Sequence, residues 1–446
     1  MNQSLYSRTN LTGAFLLVMV TAFLLLTGFR GYTDISNFKY FLLLTVSGCY
    51  FVAMAVIAGI RLFKRESGFY SPKQLWHNST LAQKLMVGFW LCCGVSAILS
   101  GFFPDTIIGF HRKEGFLTVS VYVALFLLVS VYGRADLRLL TVFAVTVTVF
   151  CAICFLQFAG LNPFTLYPEG LNYYDAGDAY RYEFLGTMGN VDIVAALLAV
   201  AAPVFLTAIL RLKGRRRFLL LIPLACVLTV TVLSKVAAAF VGVFGSILLL
   251  TPLAFITNPK VKKIVLLLML ILIFLGILGL FCIDPGSGTF HEVHLLLHGN
   301  WDDDFGTGRL FIWRNLVPLI EEHPFFGGGC DTLGQRMTAE FRNYDEETGV
   351  LRTASIDTAH NEYLNILVNE GGLALLFYLG ALFYSFYLFL KNNPANPAVA
   401  ICGAGVLGYC IQAFFGIRMT INAPLLFILW ALMLSADESQ KSERQT

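Results

Sequence analysis

Twelve separate stretches of this chain are apolar for long enough to cross a lipid bilayer, and that feature narrows its fold more than any other. A spanning helix takes about 20 residues, and inside hydrocarbon each backbone N–H and C=O must be satisfied within its own segment or a closed barrel. The runs cover 11–29, 40–60, 85–103, 116–132, 139–159, 191–210, 218–233, 236–257, 264–283, 361–390, 398–417 and 421–435. Composition agrees, with 57% apolar or aromatic residues and 13% charged, against about 45–50% and about 25% in soluble proteins. A soluble globular protein is excluded. The expected fold is all-α, a polytopic bundle of about 12 transmembrane helices with a small helical extracytoplasmic lobe. The net charge of +3 gives no footprint for nucleic acid, and none is expected as a partner. Membrane lipid is.

Loop charges orient the bundle. With the N-terminus inside, one side collects Arg61, Lys64, Arg65, Lys73, Arg134, Arg138, the run Arg211 to Arg217, Lys260, Lys262, Lys263 and Lys391, while short loops on the other side are poor in cations. Both termini are then cytoplasmic. The first run is expected to stay as an anchor, because Gly28-Phe29-Arg30-Gly31-Tyr32 does not look like a cleavage site. Residues 1–104 read as N-terminal membrane helices, 105–283 as further helices with an outer loop at 160–190, 284–360 as the lobe, and 361–446 as the last helices and a cytoplasmic tail. The lobe, with 13 of the 28 acidic residues and helical patches such as Leu310 to Glu322, is too long to be a bare connector. Within it, Gly327-Gly328-Gly329 reads as a tight turn where backbone approaches something closely. Residues 62–84 read as an interfacial helix on the inner face. The ten cysteines are scattered through apolar runs, and only Cys282 and Cys330 could meet near one face.

Under this topology His111, Arg112, Arg181, Lys235, Arg309, Arg314, His360 and Arg418 fall outside or at outer helix ends. That is a candidate cationic pocket at the outer leaflet. Lys235, flanked by apolar runs, either meets an anion or snorkels to cap a hairpin. Arg181, between Tyr180 and Tyr182, has equally ordinary uses in pairing with Glu183 or stacking. Arg309 follows Gly306-Thr307-Gly308, an arrangement that suits a bidentate donor approaching a phosphate oxygen, although no Walker motif is present. His360 precedes an apolar run, where an imidazole serves as a base or merely as a helix-start residue. His291, His294 and His298 miss the zincin spacing by one residue and read as the polar face of a surface helix, so no metal is assigned.

Three runs in order, Gly308-Arg309-Leu310-Phe311-Ile312-Trp313, Pro324-Phe325-Phe326-Gly327-Gly328-Gly329 and His360-Asn361-Glu362-Tyr363-Leu364 through Glu370-Gly371-Gly372, closely resemble the signature of the O-antigen ligase and polymerase superfamily. Arg112-Lys113-Glu114-Gly115 looks like that family's Arg-x-Glu-Gly outer turn, and Gly186-Thr187-Met188-Gly189-Asn190 like its Gly-Thr-Leu-Gly-Asn lead-in to a helix. The resemblance covers roughly residues 105 to 430, and the first hundred match only in hydropathy. It implies an inverting glycosyltransferase of the outer face of a bacterial cytoplasmic membrane. Such an enzyme moves a glycan from an undecaprenyl-diphosphate donor to the hydroxyl of a glycan or lipid-glycan acceptor, without cofactor or metal. By similarity His360 is the general base, Arg309 holds the diphosphate, and Lys235, Arg181 and Arg112 support it. One position departs: Ser234-Lys235-Val236-Ala237 stands where the family usually has Ser-Arg and a small residue, so a planar fork is replaced by a point charge.

Within that superfamily the acidic lobe would repel an anionic acceptor, which leans towards a polymerase or ligation onto a neutral glycan. A secondary transporter would be expected to show repeated halves and broken or ionisable helices at mid-bilayer, whereas these cations cluster at one edge. A non-catalytic polysaccharide-binding component is separated from an enzyme only by assay.

Overall fold

The computed structural model describes residues 3–64, 72–168, 171–175, 183–250, 256, 258–345, 350–392 and 396–445. The described residues of each apolar run are largely helical. Among the described residues seven helices are long and apolar enough to cross a membrane, and five further apolar helices have 10–17 residues. The protein is a multi-pass membrane protein.

Helix starts follow local chemistry. Helix α1 (Gln3–Val20) breaks at Thr21 before the short α2 (Ala22–Leu25), and fully buried Lys39 on α3 (Ile35–Phe63) donates to the carbonyls of Phe23 and Leu24 at the open end of α2. The interfacial helix expected at 62–84 is divided: α3 runs to Phe63, α4 (Pro72–Asn78) is a separate short helix, a further helix begins at Leu81, and residues 65–71 lie outside the described residues. Exposed Trp76 of α4 stacks under the Lys84 ammonium, 5.7 Å from the ring centre. A reciprocal cap between Thr80 and Gln83 opens α5 (Leu81–Leu99). Then come α6 (Phe116–Tyr132), α7 (Leu137–Phe158), capped by Asp136, and α8 (Val191–Arg211), capped by Asn190. Helices α9 (Leu221–Ser234), α10 (Ala237–Leu250) and α11 (Pro259–Cys282) follow.

The 284–360 region is not wholly helical. It holds α12 (Thr289–Leu297), α13 (Phe305–Glu322) and α14 (Leu333–Arg336), but then an antiparallel hairpin of β1 (Glu340–Asp345) and β2 (Val350–Ser355). Ile312, Leu316, Leu333, Ile356, Ala359 and Val368 form a small core of its own. The run expected at 361–390 is two helices, α15 (Glu362–Asn369) and α16 (Gly371–Asn392), because Gly371 turns the chain at φ +90°. The triple glycine makes the close approach its composition implied: Gly328 and Gly329 donate to the carbonyls of Val368 and Asn369, and a Cβ on Gly327 would lie 2.3 Å from the Asn369 carbonyl oxygen. Helices α17 (Pro397–Gln412) and α18 (Ala423–Gln445) complete the chain.

The hub is α8, buried along nearly its whole length against α17, α10 and α9. Without a hydrophobic driving force between helices in lipid, small residues that admit close contact set such packing. A Cβ at Gly408 on α17 would sit 1.9 Å from the Ala199 carbonyl oxygen of α8, and one at Gly242 on α10 would meet the Ala199 side chain at 2.6 Å. Cys282 is exposed and Cys330 buried, both are free, and the Cys330 thiol lies against the Cys93 carbonyl at 3.6 Å.

Candidate active site

Among the described residues the segments 100–115, 284–345, 350–361 and 413–422 meet one another through Arg112, Arg309 and Arg418. Arg112 binds Asp357 through Nε and Nη2, both at 2.8 Å, while the Arg112 amide donates to Asp331 at 3.1 Å. Arg418, on the loop between α17 and α18, is 1% exposed and pairs with Glu114 at 3.1 Å and Glu370 at 2.9 Å. Tyr122 donates to the other Glu114 oxygen, and Tyr378 and Tyr409 both donate to Glu362. Burial pushes the Glu114 and Glu370 carboxyls up to about 7 despite the Arg418 guanidinium beside them. Arg418 is therefore a buried cation that clamps Glu114 to Glu370, not the exposed cation expected at an outer helix end.

Three chain segments converge on the candidate site. The lead-in to α8 is pinned first: Gln157 accepts from the amides of Leu185 and Gly186 at 3.1 and 2.9 Å, Tyr32 donates to the Gly186 carbonyl at 2.6 Å, and Thr187 donates to the Leu24 carbonyl at 2.7 Å. Asn190 then caps α8 by accepting from the amides of Asp192 and Ile193, so the Asp192 side chain, 9% exposed, is spared for other partners. Burial, with Asp192 nearby, raises the Glu183 carboxyl.

Arg309 comes from the second segment. Gly306, Thr307 and Gly308 are all left-handed, at φ +63°, +57° and +81°, and this turn folds the guanidinium back so that Nη1 donates to the Gly306 carbonyl at 2.7 Å and to the Thr307 hydroxyl at 2.9 Å. Nη2 donates to the Phe415 carbonyl at 3.0 Å. Nε is buried with no partner among the described residues. A buried donor left unsatisfied costs about 1–3 kcal/mol, and such a group fits an incoming anion.

His360 ends the third segment, left-handed at φ +46° just before Asn361, which caps α15. Its Nδ1 is 3.1 Å from Asp192 Oδ2. The other Asp192 oxygen, Oδ1, is 3.6 Å from Arg309 Nη2, an ion-pair distance. One carboxylate thus joins the two residues that the sequence motifs singled out, 51 positions apart in the chain. An acceptor at Nδ1 assigns that proton to the ring and leaves the Nε2 lone pair available.

The remaining candidates are placed differently. Lys235 is exposed and left-handed at φ +54°, where it ends α9. Because α8 and α9 run antiparallel and pack together, it lies at the same end as Asp192. Arg112 is committed to Asp357, three residues before His360. Arg181 lies outside the described residues. His111 reaches Gln335 at 3.3 Å, and Arg314 pairs with Asp303 on the surface. The three lobe histidines turn Nδ1 to local partners, His291 to Asp284, His294 to the Leu280 carbonyl and His298 to the His294 carbonyl. Among the described residues no group of three or more His, Cys, Asp or Glu is arranged to hold a metal. A cavity of about 340 Å3 between Asp136, Phe143, Val204, Asn396 and Leu432 is apolar and lies at the opposite end of the bundle, away from this chemistry.

Asp192 is the residue that sequence reasoning passed over. An acid in the first turn of a helix is an ordinary complement to the helix dipole, and only its place two residues after Gly186-Thr187-Met188-Gly189-Asn190 marked it.

Fold and site define a multi-pass membrane protein with a histidine and an arginine held on one carboxylate at one end of its helices. Residues 222–379, which include Lys235, Arg309 and His360, match the family model of O-antigen ligase, and over this segment the chain is O-antigen ligase-like. No curated protein matches the chain.

Proposed function

We propose that the protein is a glycosyltransferase that moves a glycan from a polyprenyl-diphosphate carrier, undecaprenyl diphosphate, to an acceptor hydroxyl at the outer face of the cytoplasmic membrane. The observation that carries this reading is the Arg309–Asp192–His360 arrangement, which sets a cation with a vacant buried donor beside a base with a free ring nitrogen. Nothing activated by nucleotide is at hand outside that membrane, so a donor must arrive already activated on lipid. Its diphosphate needs cations near headgroup level. Arg309 supplies its charge and one unpartnered donor, Nε, and Lys235 a compact charge at the same end.

In the step itself His360 Nε2 takes the proton of the acceptor hydroxyl while that oxygen bonds to the anomeric carbon from the side opposite the leaving group. The bond from that carbon to the diphosphate oxygen breaks, and its electron pair leaves on the diphosphate, where Arg309 and Lys235 stabilise the added charge. Configuration inverts. The diphosphate leaves readily without a general acid.

The lean from lobe charge towards a polymerase weakens, because Asp357 is paired with Arg112 and Asp303 with Arg314, so the lobe's acidic excess is partly neutralised. Ligase and polymerase are separated by giving purified protein one synthetic undecaprenyl-diphosphate oligosaccharide. A ladder of longer lipid-linked products means polymerase; product only after a second acceptor is added means ligase; no release of undecaprenyl diphosphate with any acceptor overturns the transferase reading.

A further inference from the structure

Asp192 has a geometry that a simple helix-end charge does not need. Its two oxygens are divided, Oδ2 to His360 at 3.1 Å and Oδ1 to Arg309 at 3.6 Å, and it is nearly buried. The carboxylate is not required to cap α8, since Asn190 does that, and Gln412 of α17 fixes the Asp192 backbone by donating to its carbonyl at 3.1 Å. Of the contacts that hold the Arg309 guanidinium, the one to Asp192 is the longest. Gly306, Thr307 and Phe415 hold both terminal nitrogens at 2.7–3.0 Å. The guanidinium therefore has little reason to move when an anion arrives at Nε, but its charge changes partner.

We infer that Asp192 is a positioning residue that couples donor binding to the readiness of the base, a regulation that rests on the transferase reading of this site. With the site empty, the Arg309 charge offsets much of the Asp192 field felt at His360. A bound diphosphate neutralises Arg309 and leaves the carboxylate to act on the imidazole alone. The developing imidazolium is then stabilised, and the ring is held with its proton on Nδ1 and Nε2 facing the acceptor, in the manner of a carboxylate that orients a catalytic histidine without itself taking a proton. Proton removal is thereby favoured only when a glycan is present to receive the hydroxyl oxygen. Among the described residues Glu183 also lies near Asp192, whose charge adds to burial in raising the Glu183 carboxyl.

The test compares Asp192→Asn, Asp192→Glu and His360→Ala in the full-length purified protein, with synthetic undecaprenyl-diphosphate oligosaccharide as donor and a matched acceptor. Asp192→Asn keeps shape and loses charge. It is expected to lower kcat about 100-fold or more, while donor KM stays level or falls because Arg309 no longer shares its charge with a carboxylate. Undecaprenyl diphosphate alone, titrated into the same variant, is expected to bind as tightly as to wild type or more so. Asp192→Glu is expected to recover part of kcat. Wild-type kcat in Asp192→Asn alongside an inactive His360→Ala overturns the coupling and leaves the base assignment standing. Parallel loss of kcat, donor binding and thermal stability in both Asp192 variants overturns it in favour of a purely structural carboxylate. Full activity of His360→Ala removes the base assignment and the coupling with it, whereas no carrier release by wild type with any acceptor removes the transferase reading itself.

Discussion

Seven non-glycine residues among those described are held at positive φ, and five of them, Lys113, Lys235, Thr307, Asp331 and His360, sit in the candidate site or directly beside it. Each such backbone costs about 1–2 kcal/mol, which a chain keeps only where the rest of the fold dictates it. Lys235 illustrates what the strain accomplishes, since it ends α9 with the ammonium exposed at the site end. Lys235→Arg is expected to keep activity because the charge survives, and Lys235→Ala to lose most of it, both read as release of undecaprenyl diphosphate. Ordinary turnover by the alanine variant would make this lysine a cap alone. Asp331, beneath the Arg112 loop, makes a different prediction. Burial pushes its carboxyl up to about 6, and amide donors including that of Arg112 offset only part of the shift. A carboxyl raised in the folded state favours folding below its unfolded value near 4, and that contribution is lost as pH rises through about 6. Thermal unfolding from pH 4 to pH 7 is therefore expected to fall less steeply in Asp331→Asn than in wild type; identical slopes would contradict it. Arg309 and His360 were legible as candidates because a guanidinium after two glycines and a histidine before a helix are informative types in informative places. Their partners, buried Asp192, Glu114 and Glu370 and half-buried Asp357, were not legible as partners, because an acidic side chain shows its cation only in three dimensions.

At the level of elements, asparagine does much of the placing. Asn190 and Asn361 start the two helices that carry or follow Asp192 and His360, so each of these two residues is fixed by a cap within two residues of it. Hydropathy found the apolar helices but not their breaks. The run at 361–390 reads as continuous because Gly371 is a single residue in an apolar context, and the hairpin at 340–355 was hidden by its short polar strands. The contact of α8 with α17 is testable on its own. Gly408→Ala places a methyl group 1.9 Å from a backbone oxygen and is expected to cost about 1–3 kcal/mol of stability. Gly276→Ala on α11, with nothing within 4 Å, is expected to leave the melting temperature unchanged. Equal melting temperatures for the two variants would contradict the close packing of the hub.

Across the whole molecule, the order of the helices puts the loops with candidate site residues and the basic loops at opposite helix ends, and the proposal that the site end faces outward rests on loop charge. If the site end faces outward, single cysteines replacing Tyr174 and Asp345, in a background lacking exposed Cys282, will react with an impermeant reagent on intact cells, whereas Arg215→Cys will react only after permeabilisation. The reverse pattern would put the site in the compartment where lipid-linked donors are not presented. The most direct measurement of the central claim is transfer by purified wild type and His360→Ala from one synthetic undecaprenyl-diphosphate oligosaccharide to an acceptor, following both carrier release and the anomeric configuration of the product. The account predicts an inverted linkage and free undecaprenyl diphosphate from wild type, with no product from a His360→Ala protein that still inserts and melts normally. Full transfer by that variant, or a product with retained configuration, would contradict it.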